Sequence, residues 1–96
     1  INLIGSGGTG MSIGTVIRRN VLSEYSYIRT SPGANPDAVT DVIIEDNSFD
    51  IAKNAVLLGG NATNTSGVLI HNNRYKEVDK RLDVNKDSYL VIDDNL

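Results

Sequence analysis

Four charged or ionisable side chains, Arg18, Glu45, His71 and Asp93, each stand two residues ahead of an asparagine, at Asn20, Asn47, Asn73 and Asn95. On neighbouring strands they would form one polar, outward-facing column with a histidine between two carboxylates. At about 4.8 Å per strand, Glu45 and Asp93 would lie about 9.6 Å apart, near the upper limit for the acid and base of an inverting glycosidase. A solvated face of alternating charge accounts for the same four residues with fewer requirements. A second series, Asp83, Asn85, Asp87 and Asp94, puts oxygen side chains at positions one, three, five and twelve, as in a calcium loop. Ser88 occupies the sixth position, where glycine permits the sharp turn, and Asp94 replaces the bidentate glutamate. No metal and no cofactor is assigned. Gly5-Ser6-Gly7-Gly8-Thr9-Gly10 lacks the following Lys-Ser or Lys-Thr of a phosphate loop and reads as a turn. With no cysteine and a single histidine, thiol and histidine-metal chemistry have no support. Asn61-Ala62-Thr63 and Asn64-Thr65-Ser66 match the glycosylation pattern, which matters only on a eukaryotic secretory route.

The elements that must position these groups are copies of one unit. Gly67 to Tyr75 reads apolar, any, apolar, two polar residues, Asn, any, aromatic or Leu; Asp41 to Phe49, Thr15 to Leu22 and Tyr89 to Leu96 repeat it. The asparagines recur after 27, 26 and 22 residues, a spacing that marks stacked structural units. No segment has a convincing helical period. Further strands are predicted at Ile1 to Ile4, Tyr25 to Ile28, Ala55 to Leu58 and Arg81 to Val84. A polar corner is expected around Asp50 to Asn54. The longest loop is expected over Arg29 to Asp41, which holds both prolines.

Residues five and three before each asparagine are Thr15 and Ile17, Val42 and Ile44, Val68 and Ile70, Leu90 and Ile92. Strand alternation points each pair to one side, so stacked units would bury them as columns. The asparagine falls at the corner, where it tolerates left-handed torsions and its amide can bond neighbouring strands, and four of them would form a ladder.

Through Val42-Ile43-Ile44-Glu45-Asp46-Asn47-Ser48-Phe49 and Val68-Leu69-Ile70-His71-Asn72-Asn73-Arg74-Tyr75, the chain resembles the right-handed parallel β-helix family of pectate lyases, polygalacturonases and bacteriophage tailspikes. The resemblance implies an all-β fold: one right-handed parallel β-helix solenoid segment over residues 1–96, with about three to four rungs and an Asn ladder at Asn20, Asn47, Asn73 and Asn95. A leucine-rich repeat is the nearest rival, but its intervening helix is missing. In enzymes of the resembled family the chemistry lies on the other long strand. No stacked carboxylates occur there, and no catalytic residue is carried over. For contact with sugar the resemblance directs attention to Tyr25, Tyr27, Arg29 and Asp83, since aromatic faces pack on sugar C–H groups while polar neighbours read hydroxyls.

Val16, Ile43, Leu69 and Val91, four residues before each asparagine, would face outward as an apolar row. Either a loop of the same chain covers such a row or a second subunit does. The 96 residues carry a net charge of -3, with no basic footprint for nucleic acid and no apolar run long enough for a membrane helix. The first residue is not methionine, and so short a stack would expose strand edges, so a piece of a longer protein is expected. The resemblance implies a scaffold and oligomer-contact segment of a tailspike-like protein, extracellular or on a virion tail, a homotrimer or joined to the remainder of a longer chain. That protein would bind or depolymerise bacterial surface polysaccharide, as a lyase or glycoside hydrolase if it is an enzyme. The alternatives are a rung array of a secreted polysaccharide lyase, hydrolase or epimerase, and a non-enzymatic adhesin spacer.

Overall fold

The computed structural model describes residues 1–5, 11–32, 38–58, 65–84 and 91–93, and the side chains of residues 1, 14–30, 40–57 and 67–83. The described residues are all-β. Ten strands follow in order: β1 (Asn2–Gly5), β2 (Met11–Ile13), β3 (Val16–Arg18), β4 (Val21–Ser23), β5 (Ile28–Pro32), β6 (Ala38–Glu45), β7 (Ser48–Leu58), β8 (Thr65–His71), β9 (Arg74–Val84) and β10 (Val91–Asp93). They form two separate five-stranded sheets, one of β1, β4, β5, β7 and β9, the other of β2, β3, β6, β8 and β10. Every pairing is parallel. Copies of the repeat lie side by side: Ile44 is opposite Ile17 and Ile70, and Phe49 is opposite Leu22 and Tyr75.

Alternation along these strands decides what is buried. Ile17, Val42, Ile44, Val68 and Ile70 come inward from one sheet, and Leu22, Ile28, Phe49, Ala55 and Val56 from the other, making one apolar core. Tyr75, Val78 and Leu82 pack against it from the third copy. Burial of such side chains contributes roughly 1.5–3 kcal/mol each.

Corners are set by left-handed backbone. Positive φ occurs at Gly14, Arg19 and Glu24, at Asp41, Asp46 and Ile51, and at Gly67, Asn72 and Glu77, five residues apart within each copy. The same corner therefore recurs at the same place in every copy, and backbone bonds run through it: Gly14 N–H donates to Thr40 O (3.2 Å), Arg19 N–H to Asp46 O (3.2 Å) and Tyr25 N–H to Ile51 O (2.8 Å). A left-handed non-glycine residue costs about 1–2 kcal/mol. At Gly67 a Cβ would also stand 2.8 Å from Asp41 Oδ1 and 3.2 Å from Asp41 N, whereas at Gly14 it would meet nothing within 4 Å. Gly67→Ala is therefore expected to lower stability in urea denaturation by about 2–3 kcal/mol and Gly14→Ala by only about 1 kcal/mol.

The corner asparagines are linked. Asn47 Oδ1 accepts from the backbone N–H of Asn20 (3.1 Å) and from its Nδ2 (3.0 Å). Asn73 Oδ1 accepts in the same way from Asn47, at 2.9 and 3.0 Å. The Nδ2 groups of Asn47 and Asn73 also donate back to Ile17 O (3.0 Å) and Ile44 O (3.1 Å). Asn47 and Asn73 are buried with these bonds made, as buried polar groups require. Asn95 lies outside the described residues. The left-handed torsion falls on the residue before each asparagine, at Arg19, Asp46 and Asn72, not on the asparagine itself.

Several expected boundaries move. The predicted strand Tyr25 to Ile28 begins only at Ile28, because Glu24 and Tyr25 form a turn. The predicted loop from Arg29 to Asp41 is strand at both ends, and the corner expected at Asp50 to Asn54 lies inside the continuous β7. There Ile51 is left-handed, and the ladder that pairs Asp50 with Lys76 resumes at Ala52 with Val78. The last register also differs. Val91 pairs with Val68, Ile92 with Leu69 and Asp93 with Ile70, one residue away from what the asparagines predict. The final period is 22 residues rather than 26, and three paired residues hold a register weakly.

Candidate functional site

The second sheet presents two rows on the face away from the core. In the first, Ile43 is opposite both Val16 and Leu69, so the three apolar residues adjoin across three strands. Val16 is 51% exposed, and Ile43 and Leu69 are half-buried. In the second, Glu45 is opposite Arg18 and His71, and His71 Nε2 lies 3.2 Å from Glu45 Oε2. In β10 the backbone register is one residue away from these rows, with Val91 opposite Val68 rather than Leu69. Asp93 is opposite Ile70 rather than His71 along the backbone, and its side chain lies outside those described. Among the described side chains the second row holds one Glu–His contact with an arginine beside it on the neighbouring strand. Among the described residues no three His, Asp or Glu side chains converge to hold a metal ion, and Asn85, Asp87 and Asp94 lie outside those residues.

Tyr25 and Tyr27 lie in the connection between β4 and β5 of the other sheet. Tyr25 is 72% exposed and Tyr27 is exposed beside it. With Lys53, Asn54 and Leu57 they line a groove of about 300 Å³. With Ile1, Ser26 and Arg29 they line a second hollow of about 320 Å³. Asp83 does not line either hollow. It is opposite Leu57, which is opposite Arg29, so Arg29 and Asp83 are separated by one strand. Tyr25, Tyr27 and Arg29 are thus brought together, and Lys53 and Asn54 join them. Their place is hidden in the sequence because Asp50 to Asn54 looks like a corner. Buried positions Phe49, Ala52, Ala55 and Val56 depart from period two because Ile51 is left-handed, so no alternation marks the strand through it.

A third concavity, of about 430 Å³, runs outside the asparagine corner and is lined by three copies of the same three positions, Arg19 to Val21, Asp46 to Ser48 and Asn72 to Arg74. Asn72 Nδ2 donates to Asp46 Oδ1 across its floor. Its rows are Arg19, Asp46 and Asn72, three asparagines, and Val21, Ser48 and Arg74, which offer polar contact but no arranged acid, base or nucleophile. Comparison of the chain with family models, with curated proteins and with solved structures finds no match in any of the three.

Proposed function

We propose that this chain is a stretch of right-handed parallel β-helix, most like that of bacteriophage tailspikes, and that its part is scaffold and subunit contact. In this reading the two sheets are successive faces of a solenoid, each 26- or 27-residue step between paired asparagines is one rung, and the right hand follows from the preference of parallel crossovers. The full-length protein is a homotrimer, extracellular or on a virion tail, that recognises or depolymerises bacterial surface polysaccharide.

The observation that carries the proposal is the row Val16, Ile43 and Leu69, aligned in register on the outer face of one sheet. Water gains nothing from such a row, and a second copy laid against it would remove its apolar area from solvent. Arg18, Glu45 and His71 run alongside and would form a polar rim. Ile43→Asp combined with Leu69→Asp puts two carboxylates into the middle of that contact, a change expected to cost well over the ~4 kcal/mol that separates a thousandfold difference in association. Light scattering should show the mass falling from three copies to one while the far-ultraviolet circular dichroism is kept. An unchanged mass would sink the proposal.

A further inference from the structure

The repeat is also broken between β4 and β5. Ser23 is opposite Asp50 and Ile28 opposite Val56, so β4 and β5 are joined in five steps where β7 takes six. β9 also takes six, from Lys76 to Leu82. The short connection is a turn with two successive left-handed residues, Glu24 (φ 54°) and Tyr25 (φ 69°), where β7 and β9 each have one at this corner, Ile51 and Glu77. Tyr25 N–H donates to Ile51 O at 2.8 Å and Ser26 N–H to Ser23 O at 3.3 Å, which fixes the turn. A bulky residue at positive φ is a genuine outlier, and glycine would hold the turn without strain. The tyrosine here instead stands out from the surface, so its ring is not explained by packing.

A groove lies beside it. Tyr25 and Tyr27 form one wall, and Lys53, Asn54 and Leu57 of β7 form the other. Lys53 is exposed and has no ion pair among the described residues. Lys80, opposite Asn54, and Arg29, opposite Leu57, add positive charge nearby, against Glu24 and Asp83. Strain held at a solvent-facing aromatic beside a mixed polar groove is the kind of local exception that functional sites make to an otherwise regular fold.

We infer that this turn is a glycan subsite for an acidic sugar. The pyranose ring packs its C–H face on Tyr25 and Tyr27, its carboxylate takes a charge-assisted hydrogen bond from Lys53 Nζ, and the Asn54 amide reads a neighbouring hydroxyl. The inference rests on the proposal that the full-length protein meets surface polysaccharide, and it adds where the sugar binds and which charge it carries.

The test is titration of the full 96-residue chain, followed by NMR, with a hexuronic acid tetrasaccharide and with the tetrasaccharide of the corresponding neutral hexose. The acidic sugar should bind the wild type about tenfold more tightly and shift the Tyr25 and Tyr27 ring signals. Tyr25→Gly should lose binding by at least about tenfold while its melting temperature stays level or rises, since glycine relieves the left-handed strain. Lys53→Gln should reduce affinity for the acidic sugar to that for the neutral one. A structural role for Tyr25 predicts the opposite, a lower melting temperature with unchanged binding. That result, equal affinity for the two sugars, or no ring shift with either would overturn the inference. Ile43→Asp with Leu69→Asp changes mass without touching this groove, so loss of the subunit contact and loss of the sugar site are read separately.

Discussion

Asn47→Asp is expected to lower the unfolding free energy by about 3–5 kcal/mol, although it replaces one NH₂ by an oxygen of almost the same size. Asn47 is only 1% exposed. Its Nδ2 donates in two directions, to Asn73 Oδ1 and to Ile17 O, each at 3.0 Å. After the substitution a carboxylate oxygen faces both acceptors, and two attractions become repulsions where water cannot intervene. The bonds that Asn47 Oδ1 accepts from Asn20 survive, so the penalty belongs to the donor side alone. Asn20→Asp makes the same chemical change at the half-exposed end of the row, where Nδ2 bonds Arg18 O and Asn47 Oδ1. There water solvates the new charge, and about 1 kcal/mol is expected. Urea denaturation of the two variants gives the contrast; equal losses would mean that the row has no buried centre.

Phe49→Ala should cost a comparable 3–5 kcal/mol, by a different mechanism. The ring is 1% exposed and stacks on Tyr75 with centroids 5.5 Å apart and planes within 7° of parallel. Leu22 adjoins it from the neighbouring strand, and the Arg81 guanidinium lies over the Tyr75 ring, 4.8 Å from its centroid. Truncation removes the middle of a column that runs from one copy of the repeat to the next, and neither neighbour can move into the space without leaving its strand register. Phe49→Leu keeps most of the volume and should lose about 1–2 kcal/mol. The near-ultraviolet signal of Tyr75 should fall in the alanine variant. A loss under 1 kcal/mol would show that Leu22 and Tyr75 close the gap and that the column is not held by its strands.

What the amino-acid order made legible is the part governed by period two and by a repeated asparagine. The inward positions Ile17, Val42, Ile44, Val68 and Ile70 are buried, and Asn20, Asn47 and Asn73 are joined by side-chain hydrogen bonds, because each copy states its own alternation and the copies agree. The strand lengths were not legible. Ile51 and Glu77 carry left-handed torsions with side chains that do not announce them, so a bend inside a strand resembles the end of one. The regular five-residue spacing of corners at 41, 46 and 51, and at 67, 72 and 77, is likewise spread over Gly, Asp, Asn, Ile and Glu and has no residue signature. Of the candidate site, the tyrosines could be picked out by type. Their setting could not, since Lys53 and Asn54 share a groove with Tyr25 where the connection from Ser23 to Ile28 is one residue short. The fourth copy shows the limit of counting from the asparagine: with Val91 opposite Val68, a strand of three residues follows its local pairing rather than the period.

The proposed subunit contact is tested most directly by isotope-filtered NMR on an equimolar mixture of ¹³C-labelled and unlabelled chains, which detects only proximities between different copies. Intermolecular contacts are expected at the methyl groups of Val16, Ile43 and Leu69, with their loss in Ile43→Asp. Contacts confined to other surfaces, such as Val21 and Tyr25, or none at all from the Ile43 row, would contradict it.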